Sequence, residues 1–481
     1  MTSSPAPSSE VTVPIGRVIL VSATAALGGF LFGYDTAVIN GAVSAIGEQF
    51  DAGPVLLGFA VASALLGCAV GAWYAGRIAD RYGRIRVMLI ASALFIISSI
   101  GSGLAFSIWD LTIWRIVGGL GIGAASVIAP AYIAEVSPPA FRGRLGSLQQ
   151  LAIVTGIFVA LLTDAGIVAA AGTATAPWLL NLEAWRWMFL SALVPAVIYG
   201  GLALTIPESP RFLIAKGNML KAKEVLTRYV GGNVEKTTTD ILKTVEGKPD
   251  RVSVKILRGP KFGLLPIVWV GIGLSVLQQF TGINVIFYYS SVLWQAVGFT
   301  ESDSLTITVI TSVTNIVTTV IAILLIDKVG RRPLLFIGAI GQFICLGTLC
   351  FIFATAPLVD VGGGVMQPDL QGAAGPIALI AANLYVVFFG ASWGPVVWVL
   401  LGEMFSNRIR AVALSVAAAA QWVANFIIST TFPSLAALGL GVAYGVYTFF
   451  AFVAIFFVIR FVKETKGRTL ESMSEQDPVV T

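Results

Sequence analysis

The run VILVSATAALGGFLFGYDTAVINGA at residues 18–42 decides the class of this protein. It is long enough to cross the roughly 30 Å of hydrocarbon in a bilayer, which takes about 20 helical residues. Asp35 lies inside it and is the only charged residue between Arg17 and Glu48. A charge at such a depth costs roughly 2.5–3.5 kcal/mol, and such residues usually mark an ion or proton pathway. The run therefore predicts a membrane helix that carries a functional carboxylate.

The composition extends this prediction to the whole chain. Of its 481 residues, 57% are hydrophobic and only 11% are charged, with a mean hydropathy of +0.88, whereas soluble proteins have about 25% charged residues. We therefore predict an all-α membrane protein with twelve transmembrane helices. The predicted segments are 17–40, 55–76, 86–106, 110–134, 146–170, 186–206, 263–290, 305–326, 333–356, 376–402, 411–431 and 441–462.

The positive charges predict the orientation. Lys and Arg collect in cytoplasmic loops, and here they fall in every second loop, while the alternate loops near 41–54, 163–185, 291–304, 357–375 and 432–440 contain none. Both termini are therefore expected in the cytoplasm, in a multi-pass protein of the cell membrane surrounded by lipid. The net charge of +5 is explained by this bias. No basic soluble face is left for nucleic acid, so we expect no nucleic-acid partner.

Two similar halves flank one long hydrophilic stretch. DRYGR at 80–84 recurs as DKVGRR at 327–332, and EVSPPAFRGR at 135–144 recurs as EMFSNRIR at 403–410. Parallel six-helix halves with a substrate site between them are a recurrent transporter architecture. The predicted domains are a disordered N-terminus at 1–16, a first half at 17–206, a cytoplasmic helical linker at 207–261, a second half at 262–462 and a cytoplasmic tail at 463–481.

The repeated loop motifs offer ion pairs at helix ends. For any single loop, membrane topology alone would explain the charges, but their repetition favours a latch that ties the halves together in one state and opens in the other. Exposed pairs contribute only about 0–1 kcal/mol each, which suits a reversible switch. The predicted latch residues are Asp80, Arg81, Arg84, Glu135, Arg142, Arg144, Glu208, Asp327, Arg331, Arg332, Glu403 and Arg410.

Arg115 is a second charge inside an apolar segment. It lies a few residues into segment 4, which runs opposite to segment 1, so its depth matches that of Asp35. An adjacent Arg favours the ionised carboxylate, whereas burial favours the neutral form, and this competition is typical of a titratable switch. A permanent structural ion pair is the alternative. Because the chain has no His, an Asp or Glu must carry any proton.

Neutral amides accumulate in the apolar segments. A single buried amide is often explained by helix–helix association, but the ensemble, together with several aromatic residues, suits a neutral polyhydroxylated ligand because amides both donate and accept hydrogen bonds. A charged substrate would need more buried counter-charges, and a lipophilic drug would need fewer amides. The amides are Gln149, Gln150, Gln278, Gln279, Asn284, Asn315, Gln421 and Asn425. Tyr288, Trp398 and Trp422 lie among them, and Gly394 with Pro395 is expected to break segment 10.

These motifs resemble those of the sugar porter family of the major facilitator superfamily, especially its bacterial proton-coupled glucose and xylose symporters. The resemblance rests on GYD at 33–35, DRYGR, YIAE at 132–135, PESPR at 207–211, QQFTGIN at 278–284 and GPVVW at 394–398, and it covers nearly the whole chain. It implies that Asp35 and Arg115 couple transport to protons. The pocket that it implies consists of Phe32, Gln150, Gln278, Gln279, Asn284, Tyr288, Asn315, Gly394, Trp398, Gln421 and Trp422.

The expected function is import of a monosaccharide with a proton by alternating access, with D-glucose first and xylose or another hexose as alternatives. We expect a functional monomer without cofactor or metal. A facilitative uniporter, in which Asp35 is only structural, is the main alternative, and a sugar sensor, a membrane enzyme and a drug exporter are weaker ones. The chain departs from the family at 462–467, VKETKG, where Pro usually precedes ETKG.

Overall fold

The computed structural model describes residues 15–138, 142–231, 233–246, 254–259, 263–360, 366–405 and 409–466. Twelve helices in these ranges are long and apolar enough to cross a membrane, which confirms the predicted fold class. We number them spans 1 to 12. Their bounds are Ile15–Gln49, Pro54–Tyr82, Arg84–Gly103, Ile108–Val136, Leu145–Ala171, Ala184–Ala203, Pro266–Gln295, Glu301–Ile326, Arg331–Thr355, Ala374–Met404, Val412–Leu438 and Leu440–Phe461.

Several spans continue beyond the apolar runs that predict them. Span 1, predicted to end at residue 40, continues to Gln49, and span 7, predicted to end at 290, continues to Gln295. A helix can keep its backbone hydrogen bonds outside the hydrocarbon, so hydropathy alone does not mark its end. The chain turns instead at Asp51, which has a φ of 46°, before Pro54 opens span 2.

Glycines let the helices of each half approach closely. Span 2 packs along span 4, where Cβ atoms added at Gly67 and Gly71 would lie 2.1 and 2.2 Å from the carbonyl oxygens of Ile116 and Leu120. Span 9 packs on span 12 in the second half. Small residues at such contacts provide the van der Waals packing that holds helices together in lipid, where no hydrophobic driving force exists.

Two spans of the second half are interrupted. Span 7 consists of segment 7a, Pro266–Phe280, and segment 7b, Ile283–Gln295, separated at Gly282, whose φ is 86°. Span 10 consists of segment 10a, Ala374–Phe388, a π-helical turn at Phe389–Trp393, and segment 10b, Gly394–Met404. The expected break at Gly394 and Pro395 is thus present as a π turn, a feature that is frequent at functional sites.

Short elements connect the spans outside the membrane. The helices Pro210–Ala215, Met219–Val225 and Val234–Glu246 lie between spans 6 and 7, within the stretch 207–261 for which a helical linker is predicted. Strands β1, Leu358–Asp360, and β2, Met366–Pro368, form an antiparallel pair between spans 9 and 10, which hydropathy did not predict. The disordered N-terminus predicted at 1–16 lies mostly outside the described residues, which begin inside span 1.

Candidate substrate and proton site

The two buried charges of the first half face each other. Oδ2 of Asp35 in span 1 lies 3.8 Å from Nη1 of Arg115 in span 4, and the two residues are 8% and 3% exposed. The guanidinium also donates from Nη2 to the carbonyl of Val61 at 3.3 Å and lies over the ring of Phe189. The depth match expected from the antiparallel course of the two segments is therefore present.

This ion pair is loosely held. Within the described residues, neither Oδ2 of Asp35 nor Nε of Arg115 has a hydrogen-bond partner. A Cβ added at Gly118 would lie 2.5 Å from Oγ of Ser98 and 3.6 Å from Oδ1 of Asp35, so Ser98 packs against Gly118 close to the carboxylate. A carboxylate with few hydrogen bonds is less strongly held in its charged form than one that accepts several. The arrangement is suited to a group that gains and loses a proton.

Three amides in span 7 form a connected row, which we call the amide row: Gln278, Gln279 and Asn284. Asn284 Nδ2 donates to Oε1 of Gln279, and Gln279 Nε2 donates to Oε1 of Gln278 at 3.4 Å. Gln278 Nε2 then donates to the carbonyl oxygens of Trp393 at 2.8 Å and Gly394 at 3.3 Å. The row therefore connects the break in span 7 to the π turn in span 10.

Aromatic residues connect the halves beside Asp35. Phe32 lies one helical turn before Asp35 in span 1, and its ring centroid is 5.5 Å from that of Trp422 in span 11. Tyr288 of segment 7b lies beside Asn425 of span 11. Flat apolar rings beside amides are the surfaces on which a sugar ring can stack while its hydroxyls are read.

For the other residues of the predicted pocket the structure gives fewer contacts. Oδ1 of Asn315 would lie 3.2 Å from a Cβ at Gly390, so Asn315 faces the π turn. Trp398 is 39% exposed. Gln150 and Gln421 are half-buried, and Oε1 of Gln421 has no partner within the described ranges. That these residues line one pocket stays a prediction.

The two ends of the bundle differ. We call the end with the Arg- and Lys-rich loops the basic face and the other end the opposite face. At the opposite face Asn40 of span 1, fully buried, donates from Nδ2 to the carbonyl of Phe287 at 3.1 Å and to Oγ of Ser290 at 3.0 Å. Ser291 N donates back to Oδ1 of Asn40 at 3.2 Å. The halves are thus closed against each other at this face.

At the basic face the first half carries a charged network. Arg84 Nη2 donates to Oε1 of Glu135 at 3.0 Å and lies 3.4 Å from Oδ1 of Asp80. Glu208 accepts from the backbone N–H groups of Arg84 at 3.0 Å and Ile85 at 3.2 Å. Asp80, Arg84 and Glu135 belong to the first half and Glu208 to the start of the linker that follows it, so in this state the network stabilises a helix end instead of joining the halves.

The second half repeats this network. Arg331 donates from Nη2 to Oε1 of Glu403 at 2.8 Å, and Glu464 accepts from the N–H groups of Arg331 at 3.0 Å and Arg332 at 2.9 Å. Burial works to raise the pKa of Glu464, but hydrogen bonds from four backbone N–H groups lower it overall. Arg331 and Glu464 thus correspond to Arg84 and Glu208.

Several residues of the predicted latch have side chains that the structure does not describe. The side chains of Arg142, Arg144, Asp327 and Arg410 lie outside the described residues. Arg81 lies over the ring of Tyr82. The tie across the halves therefore remains a prediction for another state.

Among the buried polar residues that sequence reasoning passed over, two make notable contacts. Asp164 in span 5 is fully buried, and its Oδ2 accepts from the N–H of Gly41 at 3.3 Å while Oδ1 has no partner in the described ranges. Asn40, at the closed seam, is the other. Asp164 lies within an apolar run, and the same rule that singled out Asp35 could have found it.

Comparisons with known proteins identify the family to which this chain is similar. A family model described as "Sugar (and other) transporter" matches residues 21–476. The chain is 59% identical to the "Glucose transport protein" of a Synechocystis strain over 97% of this chain and 98% of the relative. It is 37% identical to the "D-xylose-proton symporter" of Escherichia coli over 95% of each chain. A solved structure of the proton:xylose symporter XylE bound to 6-bromo-6-deoxy-D-glucose superposes with a TM-score of 0.76 at 36% identity, covering 96% of this chain and 99% of that one.

Proposed function

The chain belongs to the sugar (and other) transporter family, and on that premise we propose that it imports a neutral monosaccharide together with a proton. It is a transporter and not an enzyme, as its family and relatives are. D-Glucose is the proposed substrate because the 59% identical relative is named for glucose. Xylose and other hexoses are the alternatives, since a hexose analogue binds the xylose symporter.

One observation supports the coupling of sugar transport to proton movement. The buried Asp35–Arg115 pair, with its atoms 3.8 Å apart, lies one helical turn from Phe32, which packs on Trp422 of the other half. The protonation site and the sugar pocket therefore share span 1. A change in one can shift the helix that lines the other.

The mechanism follows from electrostatics and alternating access. Protonation of Asp35 removes its charge and hence its attraction to Arg115, which weakens the interaction between span 1 and span 4. Sugar binding between the halves supplies contacts to both of them. Protonation and sugar binding together allow the two halves to rock about the site. Loss of the proton on the other side of the membrane then restores the Asp35–Arg115 ion pair. Neither the proton nor the sugar alone completes the cycle.

The orientation is also proposed. We place the basic face in the cytoplasm of a cell-membrane protein with both termini inside, on the positive-inside rule. In that orientation the hydrogen bonds of Asn40 to segment 7b lie toward the external face. We also propose the domain boundaries at 17–206, 207–261 and 262–462, and the interval between Ala203 of span 6 and Pro266 of span 7 supports the inner two, whereas span 1 begins at Ile15. Because one chain supplies the complete site, we propose a functional monomer.

The deciding experiment uses purified protein in proteoliposomes, first without an imposed pH gradient and then with one. Addition of D-glucose outside should make the external medium more alkaline as protons enter with the sugar. Labelled glucose should accumulate when the outside is acidic and should only equilibrate when both sides have the same pH. Sugar entry without any proton movement would contradict symport.

A facilitative uniporter is the second candidate. The observation in its favour is that Arg115 is held in place by Val61 and Phe189 as well as by Asp35, as a structural clamp would be. A uniporter equilibrates glucose at every pH gradient. The same vesicles therefore separate the two functions, and a sugar sensor would show no uptake at all.

A further inference from the structure

The direction of the hydrogen bonds in the amide row is fixed from one end. A backbone carbonyl only accepts, so the carbonyls of Trp393 and Gly394 require that Gln278 points its NH₂ group at them. Its oxygen then faces the NH₂ group of Gln279, whose own oxygen faces the NH₂ group of Asn284. Two backbone atoms beside the π turn thus set the donor and acceptor pattern of all three amides.

A tyrosine outside the amide row forms a second hydrogen bond between span 10 and span 7. The hydroxyl of Tyr385 in segment 10a donates to the carbonyl of Thr281 at 2.7 Å, and Tyr385 is fully buried. Thr281 is the residue just before the Gly282 break, and its Oγ1 donates to the carbonyl of Gln278 at 3.1 Å. The hydrogen bonds therefore run from span 10 to the break in span 7, along the row, and back to span 10.

The interruption of span 7 at Gly282 requires hydrogen-bond partners for its backbone. Gly282 has a φ of 86°, and a Cβ there would lie 2.8 Å from the ring of Tyr447, so the backbone is confined on one side by span 12. An interruption of a membrane helix exposes backbone groups that must be satisfied by neighbouring protein. The Tyr385 hydroxyl satisfies the carbonyl of Thr281 and thereby fixes the position of the residues that follow Gln279.

We propose that Tyr385 is a positioning residue which keeps the amide row in register and so determines which pattern of sugar hydroxyls the site accepts. The proposal rests on the proposed function, because the row is taken to read sugar hydroxyls. Each amide in the row offers a fixed donor or acceptor. An epimer that presents its hydroxyl elsewhere leaves buried polar groups unpaired, which is the strongest basis for discrimination between similar ligands.

The test compares Tyr385→Phe with the unchanged protein. Phe retains the buried ring and removes only the hydroxyl. Binding of D-glucose and of its C4 epimer D-galactose is measured by calorimetry on purified protein, and the maximal rate of counterflow is measured in proteoliposomes. We expect the affinity for the preferred sugar to fall about fivefold and the ratio of the two affinities to shrink about fivefold, as for loss of one net hydrogen bond. The maximal rate should stay within about twofold.

Two further variants separate positioning from general destabilisation. Tyr199→Phe is the matched control, because Tyr199 is fully buried in span 6 and its hydroxyl has no partner in the part of the chain that the structure describes. It should leave the affinity ratio unchanged. Thr281→Val removes the hydroxyl that supports Gln278 and should shrink the ratio as Tyr385→Phe does. A variant that only unfolds more easily lowers the amount of active protein and not the ratio.

A measurement without sugar distinguishes the positioning role of Tyr385 from the proposed sugar transport. Amide hydrogen exchange of a peptide covering residues 278–285 should be faster in Tyr385→Phe than in Tyr199→Phe. Unchanged exchange, or faster exchange with an unchanged affinity ratio, overturns the positioning role. If the unchanged protein binds no monosaccharide but the exchange rises as expected, the proposed function fails while the anchoring of the break by Tyr385 stands.

Discussion

Nη1 of Arg115 lies 3.8 Å from Oδ2 of Asp35, beyond the distance of a hydrogen bond although both groups are buried. The pair is thus held by charge and not by close contact. An attraction of this kind disappears when the carboxylate is protonated, while the surrounding helices can remain packed. The relationship differs from the basic-face pairs, in which Arg84 and Arg331 contact their carboxylates at 3.0 and 2.8 Å.

The first prediction concerns Asp35→Asn. The neutral amide mimics the protonated carboxyl, so the variant should exchange labelled glucose across the membrane at about the usual rate but should not accumulate it against a gradient. Counterflow and pH-driven uptake in proteoliposomes measure the two activities. Accumulation retained by the Asn variant would exclude Asp35 as the proton carrier.

The second prediction concerns the closed seam. Asn40→Ala removes the hydrogen bonds to Phe287 and Ser290, which contribute about 0.5–1.5 kcal/mol each, and should favour opening of the opposite face. Labelling of a Ser291→Cys reporter, which retains the hydrogen bonds of the Asn40 side chain, by a membrane-impermeant maleimide should become about tenfold faster.

Asn383→Ala is the control for that experiment. Asn383 bonds only to Leu379 and Thr311 of its own half in the described contacts. Its removal should not alter the labelling rate. Equal labelling rates for the Asn40 and Asn383 variants would show that the seam does not depend on Asn40.

The third prediction separates the two buried aspartates of the first half. The described contacts of Asp164 are limited to the Gly41 N–H, and an isolated buried charge is too costly to keep, so we expect Asp164 to be neutral. Asp164→Asn should therefore retain glucose accumulation, in contrast to Asp35→Asn. Asp164→Leu should lower stability by about 1–3 kcal/mol because the Gly41 contact is lost, as seen in the melting of the purified protein.

The fourth prediction is a dependence of stability on pH through Glu464. Its pKa is lowered by backbone N–H groups, so its contribution to stability is present above the unfolded pKa of about 4.3 and is lost as the pH falls through the lower folded pKa. Thermal melting should therefore show Glu464→Gln less stable than the unchanged protein at neutral pH. The gap should narrow in acid, and a gap that widens in acid would contradict the assignment.

Much of the site could be predicted from individual residues. A charge is costly in hydrocarbon wherever the chain folds, so Asp35 and Arg115 stood out, and their antiparallel segments fixed a common depth. The amides of span 7 were found for the same reason. Asp164 was missed, although the same rule applied, and Tyr385 and Asn40 gave no signal because tyrosine and a single Asn are common at membrane helix contacts.

The sequence by itself determined the twelve spans, their alternating direction and the presence of buried polar groups, because the cost of placing charge or unpaired polar atoms in lipid is a property of each residue. Tertiary structure alone decided which of those groups meet. The contact of Tyr385 with Thr281, the π turn beneath Gln278 and the closure of Asn40 on segment 7b depend on how helices distant in sequence pack, and hydropathy carries no information about that packing.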